Sequence, residues 1–442
     1  MSTPTTGSST TPTTDRPEGR SERAPGGRPG SRPASQAALL RQVASSPAVV
    51  GLLAVLTALI LSSILILAAD SEVRYTATYL LNRPGDFLHA TASTLSEAYS
   101  SLLRGAIFDW RATTTVRMIR PITDTLTNAT PLIIAGLGMA VAFRAGLFNI
   151  GGQGQMILGA ITACYVGIAW NLPPVAHLLL AVVGAALGGL VWGGIAGVLK
   201  ARTGANEVIV TIMLNSIAAH LLSQVLSLKA FNGEGETGNR KSLAVADSAQ
   251  YPWLAGDSFR LHAGFLLALL VAVAVWWLME RSRLGFQLRA TGLNADAART
   301  AGMSVPWVTS LVMMISGALC GLAATAPVLG TQKSMDESVV GTIGFDAITV
   351  ALLGRSRPVG TVLAGLLFGA LRAGGTAMQA APGTHIKIVL VLQSTIVLFI
   401  AAPPLIRAIF RLPERREPLG GTDPSPASVP AAAPAAPAAK EA

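Results

Sequence analysis

Charge is scarce in this chain of 442 residues. Asp, Glu, Lys and Arg make up 13% of it, about half of the roughly 25% usual in soluble domains. Hydrophobic residues make up 51%, and the mean hydropathy is +0.53. Apolar runs of 18 residues or more approach the ~20 needed to cross a bilayer as a helix. Together these predict an all-α fold, a polytopic transmembrane helical bundle. Cysteine is nearly absent: Cys164 and Cys320 both sit in apolar runs, which excludes a disulfide framework and reads as two small buried hydrophobes. The five histidines are scattered, with no HExxH and no clustered His or Cys ligands, so a metal-dependent membrane enzyme finds no support. There is no Gly-Lys pair, hence no loop to cradle ATP phosphates. No secretory signal is recognisable, since the first apolar run starts only at Ala48.

The net charge of +10 is topogenic rather than a nucleic-acid footprint, because the basic residues fall in short loops and tails. Residues 1–46 and 411–442 are low-complexity tails, expected to be disordered for want of apolar surface. Between them, a transmembrane domain over 47–410 holds ten apolar segments: 48–69, 121–143, 155–171, 175–199, 207–228, 262–279, 305–328, 344–354, 359–380 and 386–408. The eighth is too short to cross as a regular helix, which makes it a half-helix or a re-entrant piece. Arg144, Lys200, Arg202, Arg281, Arg283, Arg289, Arg299, Arg355 and Arg357 fall on one side. The positive-inside rule makes that side and both termini cytoplasmic. The long loops 70–120 and 229–261 are then external, and 281–304 is cytoplasmic. In the first long loop, Leu88, Leu95, Tyr99, Leu102 and Ala106 recur at helical spacing. They predict an amphipathic helix, either a lid packed on the bundle or a docking surface.

Three polar islands interrupt the apolar pattern. In "NIGGQGQ", glycines break the helix while Asn149, Gln153 and Gln155 carry amides that both donate and accept. A turn capped by Asn149 would account for one amide and leave the glutamines unexplained. In "GANEVIVTIMLN", Asn206 suits a helix cap and Glu207 its first turn, whereas Asn215 lies two turns deeper and needs a neighbouring helix or a cavity. In "GTIGFDAITVALLG", Phe345 and Asp346 open the short segment. Broken segments in both halves of a chain point to a transport path, and these eight residues are the candidates to border it. An ion-coupled secondary transporter is the alternative, but it needs intramembrane charges. The acids at or near segments are Asp124, Glu207 and Asp346, all towards segment ends. A further stretch, "RLGFQLRATGLNADAARTAGM", is a mostly helical loop with a small-residue face, expected to break at Gly292 and to dock against something.

These stretches, in this order, resemble the membrane permease subunits of ATP-binding-cassette importers for nucleosides and simple sugars, of the branched-chain amino acid–ribose type. The similarity runs over about residues 45–410. It is carried by "ATPLIIAGLGMAVAFRAGLFNIGGQGQMILGA", "GANEVIVTIMLN", the cytoplasmic loop and "GFDAITVALLGRSRPVGTVLAGLLFGALRAGG". The segment "DAARTAG", Asp296 to Gly302, is similar to the Glu-Ala-Ala-x-x-x-Gly coupling loop of importer permeases, without the Leu-Pro that follows it there. The resemblance implies a non-enzymatic transport subunit in the plasma membrane of a bacterium, with no cofactor of its own. ATP would be bound by a separate ATP-binding subunit. A second related permease, or a second copy, and an external substrate-binding lipoprotein would complete the assembly in the lipid bilayer. Gly285, Phe286, Arg289, Gly292, Asn294, Asp296, Ala297, Ala298 and Gly302 would contact the ATPase. Family members read Asn-Ile-Gly-Ala-Glu-Gly-Gln where this chain has "NIGGQGQ", so Gln153 stands in place of an acid and speaks against proton chemistry there.

Overall fold

A computed structural model describes residues 47–232 and 240–380, with a few positions between 394 and 411. Both tails, most of the segment at 386–408 and residues 233–239 lie outside the described residues. The helices are α1 (Pro47–Ala69), α2 (Ser71–Ala77), α3 (Pro84–Ala106), α4 (Thr115–Arg144), α5 (Gly152–Ala169), α6 (Pro174–Thr203), α7 (Glu207–Leu226) and the single turn α8 (Lys229–Asn232). They continue with α9 (Gly264–Arg281), α10 (Arg283–Leu293), α11 (Ala295–Thr300), α12 (Val305–Ala323), α13 (Ile343–Leu353) and α14 (Pro358–Ala380). A π-helical stretch, Ala326–Thr331, prolongs α12.

Among the described residues, six helices are long and apolar enough to cross a membrane, or up to seven if the bent α1–α2 pair counts as one span. The chain is thus an all-α, polytopic bundle. Two of the ten apolar segments fall outside that count for physical reasons. α5 spends its first turn on Gly-Gln-Gly-Gln, and α13 has only 11 residues.

α4 is the axis of the bundle. Every residue from Ala129 to Ala142 is buried, as expected of a helix apolar all round and enclosed by others. Pro131 lies inside it; lacking an N–H, it removes the bond that the Thr127 carbonyl would otherwise accept. α14 runs along α4, and α12 packs along α6. In the latter pair Gly189 and Gly193 face Gly317 and Gly321, where any added Cβ would run into the opposite backbone. Small residues substitute here for the hydrophobic drive that lipid does not supply. Outward faces stay apolar: Leu179, Val183 and Leu187 on α6, Ile209 and Met213 on α7, Leu270, Val273 and Trp277 on α9.

The helix foreseen in the first long loop is α3. Leu95, Tyr99 and Leu102 pack into a satellite core with Ala58, Ile66, Leu371 and Met378, while Leu88 stays exposed. Cys164 and Cys320 are free and buried. Residues 240–251 lie as a strap along the π-helical stretch and the connection that follows it. Ser242 N–H donates to Met335 O (2.7 Å), Val245 N–H to Lys333 O (2.9 Å) and Tyr251 N–H to Leu329 O (3.0 Å). Ser223 and Arg240 both hold Glu337 at one end of it. One sequence expectation is corrected: the loop helix does not break at Gly292. α10 continues to Leu293, and the break falls at Asn294, whose side chain accepts from Asp296 N–H and Ala297 N–H and so caps α11.

Candidate functional site

The turn between α4 and α5 is built from amides that satisfy one another. Asn149 Nδ2 donates to Gln155 Oε1 (3.0 Å) and to Ser316 Oγ on α12 (2.8 Å), and Gln155 Nε2 donates back to Asn149 Oδ1 (3.2 Å). Asn149 Oδ1 also accepts from Gly151 N–H at 2.9 Å. Both residues are buried. Asn215, on α7, reaches the same turn from the other side. Its Oδ1 accepts from Gly154 N–H (2.8 Å) and its Nδ2 donates to Ile150 O (2.9 Å). Here side-chain amides do what helix geometry would have done for the broken backbone. Asn149, Gln155 and Asn215 are therefore brought together, but turned into protein.

Gln153 points the other way. Its Nε2 donates to Gly341 O (2.7 Å) and its Oε1 accepts from Gly344 N–H (3.2 Å), which ties α5 to the start of the half-helix α13. Gly341 lines a cavity of about 220 Å³. The walls are Thr127, Asn128 and Pro131 of α4, Ala326, Pro327 and Thr331 of the π-helical stretch, Gln332 and residues 338–341 of the connection after it, Ile343 at the start of α13, and Arg372 of α14. Thr127 to Pro131 lie midway along α4, about 20 Å from either end at ~1.5 Å per residue. A cavity beside a helix long and apolar enough to span, walled in part by an irregular stretch and the start of the short α13, is the kind of place where non-helical backbone is tolerated in a membrane.

Arg372 was not foreseen. Loops and tails do not hold all the basic residues, because this one sits deep in α14. An arginine at a bilayer centre costs roughly 2.5–3.5 kcal/mol on insertion scales. That cost is offset by Asp346, whose Oδ2 accepts from Arg372 Nη2 at 2.6 Å; the same Nη2 donates to Thr342 Oγ1 at 2.8 Å. Asp346 and Phe345 do not line the cavity. Asp346 stands behind Arg372 as its counter-ion, and Phe345 is half-exposed in the first turn of α13. Asn128, Thr331 and Gln332 were missed as well. The only sequence signal for them was polarity near a proline-interrupted apolar run.

Asn206 and Glu207 sit apart from the cavity. Asn206 Oδ1 caps α7 by accepting from Val208 N–H and Ile209 N–H, and Glu207 Oε2 pairs with Lys200 Nζ at 2.6 Å. The α10–α11 element lies at the same arginine-rich end. Ser282 Oγ caps α10 by accepting from Gly285 N–H, Ala298 is buried, and Phe286, Leu293, Asp296 and Ala297 are exposed. Phe286 and Leu293 stand seven residues apart on one helix face, a spacing that lines up side chains. Arg289 and Arg144 both approach Glu280, at 4.0 and 2.5 Å. Gly292 lies against the backbone of Arg144 to Gly146 so closely that a Cβ has no room. The loop element therefore abuts the turn that leads, three residues on, to Asn149. Gly302 has φ +81° with open space around it, a left-handed residue closing α11.

Residues 122–401 match the family described as branched-chain amino acid transport system / permease component. The guanosine ABC transporter permease protein of Bacillus subtilis is 42% identical over 289 residues, covering 65% of this chain and 82% of that protein. The glucose ABC transporter permease protein of Haloferax volcanii is 38% identical, covering 63% and 75%. A nucleoside ABC transporter permease protein of Lactococcus lactis is 33% identical, covering 66% and 81%. With a matching stretch that runs from α4 through the cavity-lining connection to α14 and beyond, this multi-pass chain belongs to the branched-chain amino acid transport system / permease component family and is the non-catalytic membrane permease of an ABC-type importer.

Proposed function

We propose that this permease passes nucleosides, through the mid-depth cavity beside Arg372 and with ATP hydrolysed by a separate subunit docked on α10–α11. The carrying observation is the cavity itself, where polar side chains gather around an ion pair whose charges cancel. Such a lining suits a polar solute without net charge. Two of the three relatives described above are named for guanosine and nucleosides, and one for glucose; nucleosides are the better-supported class, and simple sugars the other.

In this reading the arginine-rich ends of α4, α6, α9 and α13 and both termini are cytoplasmic, and ten segments cross or effectively cross, α5, α13 and 386–408 among them. The external strap over the π-helical stretch then covers the cavity from outside, where a substrate-binding lipoprotein delivers solute. A second permease, related or identical, completes the membrane pair. The exposed Phe286–Leu293 face and Asp296, Ala297 and Gly302 meet the ATP-binding subunit. Its movement reaches the cavity along contacts already described, from Gly292 to Gly146, through the amide turn, to Gln153 and Gly341.

Vesicles holding the complete importer test this. Uptake of labelled nucleoside is expected with ATP on the ATPase side and binding protein on the other, and none without either. Nucleoside uptake that needs neither would overturn the proposal.

A further inference from the structure

An acid in the last turn of a helix stands at the wrong end of the helix dipole, and α9 carries one there, Glu280. What it meets is two arginines from two other elements. Arg144, the last residue of α4, donates from Nη1 to Glu280 Oε1 at 2.5 Å. Arg289, in the middle of α10, brings its Nη1 only to 4.0 Å from the other oxygen, Oε2. That second approach is an unfinished bond. Arg289 Nη1 is buried and makes no hydrogen bond among the described residues. Leaving a buried charged donor bare is costly. A charge-assisted bond needs about 2.7–2.9 Å, so a displacement of α10 by roughly 1 Å towards Glu280 completes it.

We propose that Glu280 is a positioning residue for ATP-driven transport: it clamps α10 to the end of α4 through Arg289 and Arg144, loosely in the position described and tightly when α10 is displaced. This rests on the reading of α10–α11 as the element that the ATPase moves. Arg289 then works inside the permease, whereas Phe286 and Leu293 are exposed on the same helix. The helix so held is the one whose Thr127, Asn128 and Pro131 wall the cavity, about 20 Å from Arg144 at ~1.5 Å per residue. α9 itself packs along α4. Gly292 also touches the end of α4, at the Arg144 carbonyl, but such a contact mainly pushes. Close-packed atoms resist approach strongly, and each pair gains little from attraction. An ion cluster ties in both directions, so α4 is drawn back when α10 returns. A bond made in one position of α10 and not in the other also biases the equilibrium between them.

The test is the amount of labelled inosine taken up per ATP hydrolysed by the complete importer in vesicles, compared between the native chain, Glu280→Gln and Arg289→Gln. Loss of folded importer lowers uptake and hydrolysis together and leaves their ratio unchanged; a broken clamp lowers the ratio. It is expected to fall about 3- to 30-fold in both variants, between the worth of a partly exposed ion pair and that of a hydrogen bond between charged groups. Arg289→Lys, which keeps the charge, is expected to stay closer to native. The ATPase subunit is expected to co-purify with Arg289→Gln as with the native chain, because Nη1 is turned inward, and to be lost from Phe286→Arg. Where Glu280→Gln yields no importer, Arg289→Gln decides. A native ratio in the variants that transport, or loss of the ATPase from Arg289→Gln, overturns the clamp and leaves docking on α10–α11 standing. Full retention of the ATPase by Phe286→Arg, with native uptake, overturns the docking reading and the clamp with it.

Discussion

Two polar regions of this bundle lie a single side chain apart and are built on opposite principles. In the turn at 149–155, the side-chain amides of Asn149, Gln155 and Asn215 are buried or nearly so and bonded to one another, to Ser316 or to backbone. In the cavity beyond Gly341, the Oδ1 of Asn128, the amide of Gln332 and half of the Arg372 guanidinium make no hydrogen bond among the described residues. Buried polar groups that are paired hold a fold in one shape. The cavity groups are open instead, Gln332 exposed and Asn128 and Arg372 partly buried, and in the proposed function they are the ones left free to meet a solute. Gln153 joins them, with its side chain bonded to Gly341 and Gly344 and its backbone in the turn.

The comparison breaks most visibly at Asn215. Asn215→Leu would strip partners from the Gly154 N–H and the Ile150 carbonyl, at about 1–3 kcal/mol for each group left bare. The expected result is a large drop in thermal stability of the detergent-solubilised importer, with the solute preference of the surviving complexes unchanged. A stable variant with altered preference would place Asn215 on the path instead. Gln153→Leu sharpens the contrast, because it cuts the bridge and leaves both regions intact. Lost side-chain bonds of this kind are worth about 0.5–1.5 kcal/mol each. Stability is expected to fall modestly and uptake per folded complex roughly 10-fold, measured in vesicles; uptake equal to native would mean that the turn and the cavity move independently.

The smallest effect is expected at the strap. Hydrogen bonds from Ser223 and Arg240, aided by the Arg240 charge, hold Glu337 below its ordinary value of 4.5. A lowered carboxylate pKa stabilises the folded state above the ordinary value, and that contribution is lost as pH falls through the lowered one. Proteolysis within 240–251 is thus expected to quicken slightly as pH drops below about 4.5, and Glu337→Gln to abolish that slope. A pH slope unchanged in the variant would assign it to another group.

Much of this was legible in the sequence, and what was not has a physical reason. Apolar run length revealed the helices, Asn206 announced a cap through local chemistry, and "FDAITVALLG" showed itself too short to cross as a regular helix. The amides of "NIGGQGQ" were recognisable as special, but one sequence gives no sign whether an amide turns to a cavity or to Ser316, 167 residues away. Arg372 was hidden for a related reason. A lone charge in a run of apolar residues looks like a segment border until Asp346, 26 residues earlier, is folded against it. The helix break at Asn294 instead of Gly292 reflects local competition: Gly292 is used for close approach to Gly146, and Asn294 is the residue whose side chain can start a new helix.

Where the solute sits is the central claim, and thiol labelling at Asn128 tests it most directly. The native cysteines of this chain are buried, so in Asn128→Cys importer, reconstituted with its partner subunits and turning over ATP, the new thiol should be the one in this subunit that reacts with a small polar reagent, read against the importer carrying the native chain. Saturating inosine is predicted to slow that reaction severalfold. Reaction at an unchanged rate, in an importer that still transports inosine, would contradict the account and move the solute path elsewhere in the bundle.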